Sequence, residues 1–301
     1  MWEGSPTRDA ATSFLFGPML RVVDLDLTRD TEAGLLDCLP ERSPYLETFD
    51  LVCKGHPFSL TSVARLPHLR SLHLRIHGGK VISNQIIPCT TCFPFLESLT
   101  VVGGDTTLAC RLLQLAQGSP LRSCRVTILV GRLSTEDYSA LIAALSRRPT
   151  LKKVTLHIQR DLSSKEIVAM VLGWPNVEVL RLYGWHVDSL HDLVTIASGC
   201  KALQEIFLDR IDVQDAEVDS IISDPSPCSF PLRRLSIQDA NLIRHNVYRL
   251  AKALSILFPH LQGNRWSDIP LTRALGRVNE VKQLRAIMAD AASKHTPPGA
   301  V

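Results

Sequence analysis

Residues 93–101 read FPFLESLTV, and this stretch decides the fold. Three apolar residues, Leu96, Leu99 and Val101, follow the spacing apolar–x–x–apolar–x–apolar, with which a short strand presents one side to a core. An aromatic residue and a proline come just before them. Because proline cannot continue a helix and favours extended backbone in the residue before it, the unit predicts the end of a helix followed by a strand.

The same unit recurs along almost the whole chain, at a mean interval of about 27 residues. Its ten first apolar positions are Leu20, Leu46, Leu69, Leu96, Leu121, Leu151, Val177, Leu203, Leu232 and Leu261. A proline stands one or two residues before nine of them, more often than the 18 prolines of the chain would give by chance. Between them lie amphipathic helical stretches such as 107–118 and 246–258. This alternation predicts an α/β leucine-rich-repeat solenoid, a horseshoe with a parallel β-sheet on its concave face and helices outside.

Three segments are expected along the chain. Residues 1–19 form an N-terminal segment that is either disordered or part of a cap, and residues 20–266 form an array of about ten repeats. Residues 267–301 form a C-terminal capping helix and a disordered tail. The helix should begin near Pro270 and seal the open end of the core with an apolar stripe, which consists of Leu271, Leu275, Val278, Val281, Leu284 and Ile287.

Composition narrows the function classes. The 33 Lys and Arg against 30 Asp and Glu give a formal charge of +3, which provides no electrostatic footprint for nucleic acid or an anionic membrane. No apolar run approaches the roughly 18 residues of a membrane span. Eight cysteines without a secretion signal favour reduced thiols, so we expect a cytoplasmic or nuclear protein.

Motifs for catalysis or cofactor binding are missing from the sequence. It has no glycine-rich phosphate-binding loop and no GxSxG nucleophile motif. Cys89 and Cys92 have the spacing of zinc ligands, but no second pair completes a site, so we interpret them as two loop thiols. Asp24 and Asp26 are expected on one solvated strand face rather than in acid–base catalysis. The sequence therefore predicts neither an enzyme nor a cofactor or metal site.

The surface left for function is the concave face, which the residues between the apolar positions should line. Its N-terminal end is acidic, and its middle carries basic and aromatic side chains. Such a mixture is typical of protein-binding hot spots, although the aromatic rings could instead only cover a neighbouring strand. The residues predicted to bind a protein partner are Lys153, His157, Arg181, Tyr183 and Phe207, with Arg125, His73 and Arg75 beside them.

A family resemblance accompanies these residues. The unit Phe93–Leu99 has the form aromatic–Pro–x–Leu–Glu–Ser–Leu, and shorter versions occur at Trp174–Val177 and Phe258–Leu261. Over roughly residues 18–266 the chain resembles the leucine-rich-repeat region of fungal F-box-type proteins. The asparagine that ends many repeat strands is missing, which favours an irregular array similar to that of ribonuclease inhibitor.

The resemblance implies a role in ubiquitin transfer. In that family an N-terminal F-box docks on the adaptor of a cullin–RING ubiquitin ligase, and the repeats hold the substrate. The 19 residues before the first repeat contain no such segment, so we expect either a lost F-box or a truncated product, and adaptor binding only if an F-box lies upstream. A free-standing scaffold and a GTPase regulator of the same architecture are the alternatives.

Overall fold

The structure is a computed structural model of the whole chain. It describes residues 16–27, 36–54, 60–77, 92–128, 135–158, 164–187, 189–211, 213–225, 230–237, 247–263 and 270–294. The chain divides into two compact units, Met1–Arg160 and Asp161–Val301. Within the described residues there are nine strands and nine helices.

The described part of the first unit contains six strands and four helices, which alternate except between the third and fourth strands. In chain order they are β1 (Val22–Leu27), α1 (Leu39–Arg42), β2 (Thr48–Lys54), α2 (Leu60–Ala64), β3 (Ser71–His77), β4 (Ser98–Gly103), α3 (Thr106–Leu115), β5 (Ser123–Ile128), α4 (Thr135–Ser146) and β6 (Lys153–Ile158). The strands pair in chain order, each parallel to the next.

The second unit continues the same alternation. It contains α5 (Ser164–Val171), β7 (Val179–Val187), α6 (Leu190–Gly199), β8 (Glu205–Ile211), α7 (Asp215–Ser223), β9 (Arg234–Ile237), α8 (Val247–Leu257) and α9 (Pro270–Lys294). Strand β7 pairs with β8 and β8 with β9, again in parallel. Parallel pairing of consecutive strands, with a helix in the connections that the structure describes, confirms the predicted α/β leucine-rich-repeat fold in both units.

From the second repeat to the ninth the apolar positions form the core, whereas Leu20 and Leu25 of the first repeat are half-buried. In the second repeat Leu46, Phe49 and Leu51 have no exposed surface, while Asp50 between them is only partly covered. The aromatic residues that precede proline are also fully buried at three places, Phe93, Trp174 and Phe258. The aromatic–Pro unit therefore places a large side chain in the core just before the chain turns into its strand.

The turn after β4 connects this strand to helix α3. Gly103 and Gly104 have φ angles of 78° and 73°, which L side chains rarely adopt. Asp105 then caps α3, because its carboxylate accepts a hydrogen bond from the Leu108 N–H at 2.8 Å. The two glycines and the Asp105 cap therefore end β4 and begin α3.

Strand β7 departs from the regular pairing. Its register with β8 shifts between Leu182 and His186, and Gly184 inside the shift has a φ of 79°. The Gly184 N–H donates to the carboxylate of Asp209 on β8. The bulge therefore replaces ladder hydrogen bonds with a side-chain contact on one face of the sheet.

The first half of helix α9 packs against the end of the last repeat. Ala274 and Leu275 are buried, and Asn279 Nδ2 donates to the carbonyl of Leu261 at 2.8 Å. The second half differs from the predicted apolar stripe, since Val281, Leu284 and Ile287 are 49%, 59% and 65% exposed. The expectation that these three residues seal the core was wrong, because the packed surface ends within the first half of the helix.

No helix among the described segments combines the length and the apolar character that crossing a lipid bilayer requires.

Candidate functional site

Strand alternation sorts the side chains of both sheets into a core side and an open face. We define the open face by its first row, which is exposed or half-buried. Backbone pairing places the members of this row side by side within each unit, namely Asp24, Asp50, His73, Thr100, Arg125 and Thr155, then Arg181, Phe207 and Ser236. Thr127 lies two residues after Arg125 on β5, where alternation predicts an open-face position, but it is buried.

Acidic side chains dominate the β1–β2 end of the open face, and they form ion pairs with nearby basic side chains. Arg75 Nη2 donates to Asp50 Oδ2 at 2.8 Å, and the hydrogen bond and charge of Asp50 raise the pKa of Arg75. His73 Nδ1 lies 3.6 Å from the same oxygen, and Lys54 Nζ donates to Asp26 at 2.6 Å. Two predicted partner-binding residues, His73 and Arg75, are thus held in place by Asp50.

The β5–β6 end of the same unit carries the exposed basic side chains of Arg125 and Lys153. Among the residues that the structure describes, neither has an acidic partner within salt-bridge distance. His157 is half-buried near the end of β6. Arg125 and Lys153 are therefore available to an outside ligand.

In the second unit Arg181 is paired with a carboxylate that the sequence analysis missed. Its Nε and Nη2 both donate to Glu205 Oε1, at 3.2 and 2.8 Å. Glu205 lies two residues before Phe207 on β8, so the same strand alternation that identified Phe207 could have found it. The pairing lowers the net positive charge that we predicted at this position.

Tyr183 and Phe207 form the aromatic part of the open face. Their ring centroids lie 4.5 Å apart and the ring planes are tilted by 38°. Both rings are half-buried, whereas Leu180 and Leu208 beside them are fully buried in the core. Phe207 thus lies on the open face and not in the core.

Asp209 extends this group along β8. One carboxylate oxygen accepts from the Gly184 N–H, and the other is buried without a hydrogen-bond partner among the residues that the structure describes. Nothing in the sequence indicated the bulge that brings the Gly184 N–H to Asp209. An unsatisfied buried oxygen is costly unless a donor approaches it.

The predicted partner-binding residues fall into both units. His73, Arg75, Arg125, Lys153 and His157 lie in the first unit, and Arg181, Tyr183 and Phe207 lie in the second. We therefore describe them as two surfaces, each on the open face of its own unit.

His, Cys, Asp and Glu are the residue types that could hold a metal ion or attack a substrate. No group of three or more His, Cys, Asp or Glu within the described segments has the arrangement of a metal site. Cys92 is buried, and Cys89 lies outside the described residues. Burial raises the pKa of the Cys53, Cys124 and Cys200 thiols to about 11, 12 and 11, so these thiols are protonated at neutral pH.

Comparison with known proteins finds similarity to solved structures. The sequence matches no model of a known protein family and no curated protein. The chain is similar to the crystal structure of an internalin (inlF) from Listeria monocytogenes, with 14% identity and a TM-score of 0.37. The match covers 74% of this chain and 65% of the internalin, which is less than two thirds of that protein. The fold assignment rests on the strand order and register described above.

Proposed function

We propose that the chain is a non-catalytic protein-recognition module whose partner binds the open face of its sheets. The observation that supports this proposal most directly is the register-matched row of exposed and half-buried side chains, which gives each unit a continuous polar and aromatic surface. Arg and Tyr are over-represented at binding hot spots, and Tyr183 and Phe207 place a ring pair among charged side chains.

The residues proposed to contact the partner are those of the two surfaces. In the second unit Phe207 and Tyr183 provide an apolar anchor, and Arg181 provides hydrogen-bond donors that remain beyond its pairing with Glu205. In the first unit the proposed contacts are His73, Arg75, Arg125, Lys153 and His157. A partly covered ring between charged groups suits a partner segment with both apolar and charged residues.

Site-specific photocrosslinking tests the proposal. A photoreactive phenylalanine analogue is placed at Thr100 on the open face and, as a control, at Gln114 on the exposed side of α3. In extract of the organism that makes the protein, the Thr100 variant is expected to crosslink one protein that Gln114 does not reach. Crosslinks from Gln114 alone would contradict binding on the open face.

A finer proposal follows from the family resemblance. We propose that the module is the substrate-binding part of an F-box-type receptor of a cullin–RING ubiquitin ligase, acting in the cytoplasm or nucleus. Its support is the aromatic–Pro unit around Phe93, Trp174 and Phe258, whose rings are all buried. The test is the transcript upstream of Met1, followed by a binding measurement between its product and the purified ligase adaptor. A transcript that encodes no F-box would overturn the ligase role and favour a free-standing scaffold.

A further inference from the structure

Charge is unevenly distributed over the open face of the first unit. Segments 20–27 and 46–54, which contain β1 and β2, hold four acidic and two basic side chains. Both basic ones are already paired, Arg21 with Glu47 and Lys54 with Asp26. Segments 121–128 and 151–158, which contain β5 and β6, hold four basic side chains and no acidic one.

The basic side chains of β5 and β6 are close neighbours. Ser123 pairs with Lys153 and Arg125 with Thr155, so Arg125 and Lys153 are diagonal neighbours on adjacent strands. The hydroxyl groups of Ser123 and Thr155 are half-buried beside them and can donate to an anion. Arg122 is exposed just before β5. We call Arg122, Arg125 and Lys153 the basic patch.

The acidic group nearest along the sheet is already engaged. Glu97, just before β4, accepts a hydrogen bond from Arg70 at 3.3 Å on its β3 side. Among the described residues no salt bridge involves Arg122, Arg125 or Lys153. Uncompensated like charges on adjacent strands repel each other, and an anionic ligand would relieve that repulsion.

We propose that the basic patch binds an acidic segment of the partner protein, whose carboxylates replace the acids that these strands lack. This inference rests on the proposed function and specifies the chemistry of its partner. An extended peptide of four residues is about 13 Å long, so it can cover the basic patch without reaching β2, which lies three strand spacings or about 14 Å from β5. A nucleic acid long enough to reach β1 and β2 would meet four acidic and two basic side chains there, and this net negative charge argues against a polyanion of that length.

A direct binding assay on the full chain tests this proposal. The probe is a short labelled peptide in which Glu and Ser alternate, and its twin carries Gln in place of Glu. We expect fluorescence anisotropy to show binding of the Glu peptide only. The affinity should fall steeply between about 0.1 M and about 1 M salt, where the Debye length shrinks from about 10 to about 3 Å.

Two double variants with the same change in net charge separate the patch from general electrostatics. R125A/K153A should lower the affinity for the Glu peptide about tenfold, as the loss of two exposed ion pairs would. R21A/K54A removes two cations that are already paired, and its affinity should equal that of the natural chain. R125K/K153R keeps both charges and should retain binding, and equal melting temperatures verify that all variants fold.

Several results would overturn the proposal. R125A/K153A that binds as well as the natural chain, or an equal loss in R21A/K54A, would show that the patch does not recognise the peptide. Tighter binding of a DNA duplex with the same sensitivity to R125A/K153A would assign the patch to nucleic acid. Dimerisation of the natural chain that R125A/K153A abolishes would make a second copy its occupant. If Thr100 still crosslinks a protein while the Glu peptide fails to bind, only this inference falls and the proposed function stands.

Discussion

Arg148 donates from Nη1 to the carbonyl oxygen of Ala116 at 2.6 Å, across 32 residues of sequence. Its Nη2 also donates to the carbonyl of Leu113, so one guanidinium satisfies two carbonyls at the C-terminal end of α3. The side chain is only 5% exposed. A single arginine thus links the end of one repeat helix to the turn before β6.

Replacing Arg148 with Met should destabilise the protein by about 2–4 kcal/mol, because two buried carbonyls lose charged donors. Urea unfolding measures the change. Arg147, its exposed neighbour, provides the matched control, and Arg147→Met should alter the free energy of unfolding by less than about 0.5 kcal/mol. Equal effects of the two substitutions would show that the Arg148 hydrogen bonds contribute nothing to stability.

The contact between the last repeat and α9 requires a glycine at position 263. A Cβ added at Gly263 would lie 2.1 Å from the backbone nitrogen of Gly276 and 2.3 Å from the carbonyl carbon of Leu275. Backbone atoms cannot yield as a flexible side chain can. Gly263→Ala should therefore displace the first half of α9 and cost about 1–3 kcal/mol, measured as a lower melting temperature.

Gly118→Ala is the control for this substitution, since no atom lies within 4 Å of its added Cβ. Its melting temperature should match that of the natural chain. If Gly263→Ala also leaves the melting temperature unchanged, α9 does not pack as closely on residues 261–263 as the structure places it.

The apolar spacing within single repeats predicted the fold. It could not predict the contacts between side chains of neighbouring repeats. Leu46, Phe49 and Leu51 are buried as the apolar spacing requires, because alternation along one strand decides which side each residue takes. The pairing of Arg181 with Glu205 and the bulge at Gly184 depend on how two strands meet, which no single repeat contains. The exposed Leu284 shows a further limit, since an apolar spacing indicates a helix face but not whether anything covers it.

Burial of Cys124 predicts a dependence of stability on alkaline pH. Burial raises the pKa of its thiol from 9.0 to about 12, so the thiol ionises more readily in the unfolded chain. The resulting stabilisation is complete below pH 9 and is lost as the pH rises toward 12. Between these limits the natural chain should lose about 1.4 kcal/mol per pH unit more than Cys124→Ala.

Urea unfolding of both proteins at several alkaline pH values measures this difference in slope. The comparison with Cys124→Ala cancels the other groups that ionise in the same range. Parallel pH profiles for the two proteins would mean that the Cys124 thiol is not protected by the fold, and a thiol reagent would then modify it in the native protein.

Phe207 and Leu208 are adjacent on β8, and their opposite orientations separate binding from folding. Phe207→Ala removes a half-buried ring from the open face, so it should cost about 2 kcal/mol of partner binding and little stability. Leu208→Ala opens a cavity at a fully buried position and should cost about 2–5 kcal/mol of stability. Calorimetric titration with the protein that Thr100 crosslinks measures the first effect, and urea unfolding measures the second.

If Phe207→Ala binds that protein as tightly as the natural chain does, the partner contacts another part of the open face. The acidic β1–β2 end around Asp24 and Asp50 is then the next surface to test.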